Sequence, residues 1–143
     1  MCLKSLLSVF KGGDSTGNIP SPRTDVVIQK TDKGVLVCDV KTTTVQNTNS
    51  MEPLLDIGHE VLITDKIGDI KVGDIIIWQK DNKNVIHSII ETGSDEFGNY
   101  YRTQGLNVNR PDVEIIRKVD IKYLCVGVLW TREVGSYIAA NGD

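Results

Sequence analysis

The feature that most restricts the fold of this chain is the brevity of its apolar runs and the regularity with which turn-forming clusters interrupt them. Such runs occupy Asp25–Gln29, Val35–Thr44, Glu60–Thr64, Asp74–Gln79, Val85–Thr92, Tyr100–Gln104 and Ile121–Arg132. Between them stand "GDI", "DNKN", "SDEFGN" and "NVNRPD", clusters rich in the residues that close hairpins. Runs this short, rich in Val, Ile, Thr and Tyr, predict strands. "DIIIW" and "YLCVGVLW" are continuously apolar, which predicts strands covered on both faces. The expected fold is mostly β, a strongly bent sheet or an open barrel.

Size sets the domain count. With 143 residues the chain can build one ordinary core, not two. Residues 24–134 read as the β-rich domain, residues 1–23 as a short helix with a linker, and residues 135–143 as a C-terminal tail. Leu3, Leu6, Leu7 and Phe10 fall at helical spacing, and "KGGDSTGNIPSPR" has the composition of a flexible linker. The apolar N-terminal stretch is far shorter than the roughly 20 residues a spanning helix needs. It also lacks a small-residue cleavage pattern, so no signal peptide is expected. A weak peripheral membrane contact is the most such a helix would make.

Charge and cysteine content exclude other classes. A formal net charge of −3 with no Lys/Arg run gives no electrostatic support for nucleic-acid binding. Cys2, Cys38 and Cys125 are scattered and odd in number, without a C-x-x-C pair. With two histidines in the chain, a structural zinc site is not expected, nor any other cofactor. The reading is a soluble protein of a reducing compartment, the cytoplasm.

Chemistry enters at "TTTVQNTNSMEPLLDIGHEVLI", where a β-like run meets Ser50-Met51-Glu52-Pro53. A serine there is either a turn residue or a nucleophile held at the edge of a sheet. A hydrolytic serine needs a base, a group that orients the base, and donors for the developing oxyanion. His59 lies in the turn "DIGHEV", whereas His87 interrupts the apolar strand "NVIHSII", which makes His87 the better base. Asp112, at the end of the turn-rich "TQGLNVNRPD", can point back into the sheet as the orienting carboxylate. Taken alone, these choices are weakly specific, because most domains contain a Ser, a His and an Asp.

The order of the blocks adds to them. Ser50-Met51-Glu52-Pro53, then Gly73-Asp74 with Ile75, Ile76 and Ile77, then His87-Ser88-Ile89-Ile90, then Gly105-Leu106-Asn107-Val108 with Asp112 seven positions after the glycine, resembles the signal peptidase I family of serine proteases. The resemblance is to the histidine-using branch found in archaea and the endoplasmic reticulum, and it covers roughly Val35 to Trp130. It implies Ser50 as nucleophile, His87 as general base and Asp112 as the residue that orients His87. It further implies an oxyanion site made by the Ser50 N–H and the Thr48 hydroxyl, with Met51 supporting the nucleophile and lining part of the substrate cleft. The implied activity is endopeptidase cleavage of a protein or peptide held in extended form.

Departures from the pattern accompany the match. Asn49 stands where a glycine usually precedes the serine, Gly58-His59 replaces a Gly-Asp, Ser88 replaces an arginine, and Leu106 replaces an aspartate. The family's membrane anchor has no counterpart in this sequence. Ser88 and Leu106 favour a second reading, a non-catalytic binding module on the same β scaffold. A third reading, a serine–lysine dyad with Lys83 as base, meets the difficulty that Lys83 sits in the polar turn "DNKN".

Overall fold

The structure is a computed structural model that describes residues 26–130. The expected N-terminal helix, its linker and the C-terminal tail lie outside the described residues.

Among the described residues, eight strands form two antiparallel sheets. A separate hairpin pairs β1 (Val27–Thr31) with β2 (Gly34–Cys38). The main sheet contains β3 (Lys41–Thr44), β4 (Glu60–Thr64), β5 (Ile75–Lys80), β6 (Lys83–Asp95), β7 (Gly98–Gln104) and β8 (Ile121–Leu129). Its order is β3-β4-β8-β5-β6-β7, so among the described residues β3 and β7 are its outer strands and the sheet does not close into a barrel. The long last strand reaches back to the centre, between β4 and β5, which is why its residues read as continuously apolar.

Period-two alternation divides the main sheet into two faces, each with its own core. On one, Ile76, Trp78, Ile89, Tyr101, Ile116, Ile121 and Leu124 pack together. On the other, Ile75, Val61, Ile63 and Cys125 pack with Met51 and Leu55 of the connection that follows β3. Ile76, Leu124 and Val61 are fully enclosed, and burying each such side chain contributes about 1.5–3 kcal/mol.

Where the boundaries differ from expectation, backbone geometry explains it. The run Val35–Thr44 is not one strand: Asp39 takes a left-handed φ of 61°, and β2 and β3 join different sheets on either side of it. Aspartate tolerates that region, so no glycine or proline announces the break. The β5–β6 hairpin is tighter than "DNKN" implies. Lys80 faces Lys83 across a two-residue turn in which Asp81 and Asn82 both have positive φ, as a type I′ turn requires.

One feature of β6 and one of β7 place the site. Among the described residues the Lys83–His87 portion of β6 pairs with β5 only, because β7 begins to pair at Ser88↔Gln104. His87 is therefore the last residue of β6 before the sheet widens. Beyond Gln104 the chain leaves β7, loops through residues 105–111 and returns along the outer edge of β7. There the Asp112 N–H donates to the Thr103 carbonyl at 2.8 Å, and Tyr101 and Ile116 exchange two backbone hydrogen bonds at 2.9 Å.

Candidate active site

Ser50 stands at the head of a turn whose root is buried. The N–H groups of Leu54 and Leu55 both donate to the Met51 carbonyl at 3.0 Å, and Met51 and Leu55 are enclosed in the core. Ser50 is thus both a turn residue and a side chain raised at the sheet's edge. The resemblance implies that Met51 lines part of the cleft; in the structure it is 3% exposed and buried in the core, and the cleft lining does not include it. Its side chain packs with Leu55, Val61 and Ile63 in the core.

Asn49 precedes the serine with φ of 55°, the left-handed conformation a glycine would take most easily and that Asn accepts. The loop after β7 ties this turn down. The Asn107 N–H donates to the Ser50 carbonyl at 2.9 Å, and its side-chain amide donates to the Asn49 carbonyl at 3.1 Å.

The three expected residues meet. The Ser50 hydroxyl lies 3.1 Å from His87 Nε2, and His87 Nδ1 lies 2.6 Å from Asp112 Oδ2. A carboxylate can only accept, so Nδ1 carries the proton and donates to Asp112. That leaves the Nε2 lone pair to accept from the Ser50 O–H. The His87 and Asp112 side chains are 12% and 16% exposed, shielded enough to strengthen the contact and open enough for a substrate to reach it. Asp112 Oδ2 also accepts a 2.6 Å hydrogen bond from the Thr103 hydroxyl.

Thr48 completes the arrangement at the nucleophile, its hydroxyl 3.2 Å from the Ser50 oxygen. With the Ser50 proton directed to His87, the Thr48 O–H is the donor in this pair. No acceptor among the described residues engages the Ser50 N–H.

Ser50 and His87 line a cleft of about 560 Å³ that extends from the Thr43–Gln46 segment to the Asn84–His87 edge of β6. Its apolar lining includes Val45, Ile63, Ile77 and Ile86. Among the described residues both flanks carry strand edge with no paired neighbour, the form of surface to which an extended peptide adds as a further strand.

The other titratable candidates fall away. His59 accepts the Asp56 N–H at 3.0 Å through Nδ1 and so serves its own turn. Lys83 is exposed at the β5–β6 hairpin, facing Lys80. Burial pushes the Cys125 thiol up to about 11, which keeps this sulfur protonated and inert. Leu106 is half exposed, whereas Ser88 is buried within the sheet between Ile75 and Gln104.

Thr103, Gly105 and Asn107 join the site without having been singled out from the sequence for these contacts. Gly105 opens the turn-rich stretch after β7, yet its backbone does not have positive φ. A Cβ there would come within 2.5 Å of the Ser50 carbonyl oxygen and 3.0 Å of His87 Nε2. The glycine is required by close approach. Alternation was the available signal for Thr103, since it shares the inward phase of Tyr101 on β7.

Comparison with family models, with curated proteins and with solved structures found no match.

Proposed function

We propose that this chain is a serine endopeptidase that works through Ser50, His87 and Asp112, as the resemblance to the histidine-using signal peptidases implies. The observation that carries the reading is one unbroken line of hydrogen bonds from the Ser50 hydroxyl through His87 to Asp112 at the wall of a cleft. Parts separated by 37 and 25 residues of chain converge in it with the polarity a nucleophile and base require.

In this reading a peptide carbonyl carbon is attacked by the Ser50 oxygen while His87 Nε2 takes the hydroxyl proton. Asp112 stabilises the resulting imidazolium and holds the ring in place. The Ser50 N–H and the Thr48 hydroxyl receive the oxyanion. Collapse of the tetrahedral intermediate breaks the C–N bond, and His87 returns its proton to the departing amine. Water, deprotonated by His87, then hydrolyses the acyl-serine and restores the free hydroxyl. The apolar cleft and its free strand edges hold the substrate extended. Among the described residues no helix is long and apolar enough to cross a membrane.

The test is covalent labelling with a fluorophosphonate, located by mass spectrometry, together with cleavage of a mixed peptide library. The expected result is modification at Ser50 and library cleavage, both lost in Ser50→Ala and His87→Ala variants with unchanged folding. Cleavage that survives either substitution refutes the mechanism. Peptide binding without labelling or cleavage would move the chain to the binding-module reading, towards which the Leu106 and Ser88 replacements point.

A further inference from the structure

Thr103 lies one residue from the C-terminal end of β7, directly opposite Ile89 of β6, and its side chain is completely enclosed. A buried hydroxyl must find a partner or bear the cost of its lost hydration. This one donates at 2.6 Å to Asp112 Oδ2, the same oxygen that receives His87 Nδ1 at 2.6 Å. His87 and Thr103 are the two side-chain donors to Asp112 among the described residues.

The loop itself does not need that bond. Residue 112 is already held by its N–H to the Thr103 carbonyl, and the segment by the Tyr101–Ile116 pair. What the backbone leaves free is rotation of the carboxylate about its terminal torsion, which is soft for aspartate. Thr103 opposes that rotation with a hydroxyl on a β-branched side chain whose own χ1 is stiff. One residue thus fixes Asp112 twice, its backbone by a carbonyl and its carboxylate by a hydroxyl.

We propose that Thr103 is a positioning residue for the His87–Asp112 pair: its hydroxyl pins Asp112 Oδ2 opposite His87 Nδ1 and thereby holds His87 in the tautomer that leaves Nε2 free to accept from Ser50. The catalytic consequence rests on the serine-peptidase reading; the orienting role does not. Threonine is needed for its hydroxyl, and the near-isosteric valine lacks it.

The experiment compares the full chain with Thr103→Val and Thr103→Ser. Heteronuclear NMR reports the His87 tautomer, and the rate of inactivation by diisopropyl fluorophosphate reports Ser50 reactivity. Wild type and Thr103→Ser should show one Nδ1–H tautomer, whereas Thr103→Val should show a several-fold larger Nε2–H population. Inactivation should slow by about 10- to 100-fold in Thr103→Val, the scale on which misplaced catalytic groups lose rate, with serine restoring most of it. A second measurement covers a valine variant that folds poorly. In an Asp112→Asn background, Thr103→Ala should slow inactivation no further, because the carboxylate it would orient is gone. The proposal is overturned if valine leaves tautomer and rate unchanged, if serine is as impaired as valine, or if alanine costs as much in the Asp112→Asn background as in the wild-type chain. A wild-type chain that resists the reagent defeats the peptidase reading, while the tautomer comparison still decides the role of Thr103.

Discussion

His87 Nδ1 and Asp112 Oδ2 lie 2.6 Å apart, joined through a loop that leaves β7 beside one residue and returns along β7 to deliver the other. The contact sets which ring nitrogen carries the proton, and so which one faces Ser50. Asp112→Asn keeps the shape but can present an N–H where an acceptor is needed. On the serine-peptidase reading, the expected result is an intact fold with cleavage reduced by about 10⁴-fold, the loss seen when a triad histidine is held in the wrong tautomer. Circular dichroism and kcat/KM on a library-derived peptide check the two halves. A loss below tenfold would leave Asp112 without its assigned role.

Gly105→Ala probes the other side of the ring. The added methyl would meet the Ser50 carbonyl oxygen at 2.5 Å and the Val108 side chain at 2.9 Å. A backbone oxygen cannot swing aside as a side-chain tip does, so the serine turn or the 105–108 loop must move. Over-packing of this kind costs about 1–3 kcal/mol. On the serine-peptidase reading, displacement of Ser50 from His87 should lower cleavage by about 100-fold, since catalytic alignment is sensitive to shifts near 1 Å. Chemical denaturation and kinetics separate the effects, and unchanged kinetics would show the turn to be more pliable than its buried root implies.

How much of this was legible follows from where each piece of information sits. Glu60–Thr64 could be read to the residue, because its short β-branched, apolar run is a local signal and the turns on both sides are marked. The break at Asp39 could not, since a left-handed aspartate leaves no mark that differs from any exposed Asp. Ser50, His87 and Asp112 stand in ordered blocks and were readable through the resemblance. Thr103 and Asn107 were not, because each acts through a contact whose partner is distant in the chain. Asn107 reaches Asn49 across 58 residues, and nothing local to "GLNV" records that. Met51 shows the same limit: its neighbour is the proposed nucleophile, but its own environment is core.

At Asn49 the left-handed φ of 55° makes a contrast between substitutions informative. Asn49→Gly relieves the backbone and keeps the carbonyl that Asn107 engages, so activity should stay within about twofold and stability should hold or rise slightly. Asn49→Val forces a β-branched residue into that region, at a cost of about 1–2 kcal/mol or more. Thermal melts and fluorophosphonate labelling of both variants check this. A valine variant as stable as wild type would show that the turn can adopt another path.

The last prediction concerns the anchor of the segment that carries Asp112. Arg117 follows that segment and donates two hydrogen bonds to Asp95, at 2.7 and 2.9 Å, and a third to the Gly98 carbonyl at 3.0 Å. It thereby staples the 112–116 segment to the β6–β7 hairpin tip. Hydrogen bonding from Arg117 holds the Asp95 carboxyl below its usual value. The folded chain therefore binds that proton less readily than the unfolded chain does. The resulting stabilisation is full above the ordinary aspartate value of about 3.9 and is lost as pH falls through the lower folded-state value. Arg117→Gln should melt below wild type at pH 7, and the gap should narrow as pH drops below about 4. The pair is solvent-facing, so added salt should narrow the gap as well. Melting curves from pH 2 to 7 at low and high salt, ranges of about the span over which a carboxylate titrates, measure both trends. A gap that stays constant through the acid range would mean that Arg117 stabilises the tip through its carbonyl contacts and packing, with Asp95 contributing little.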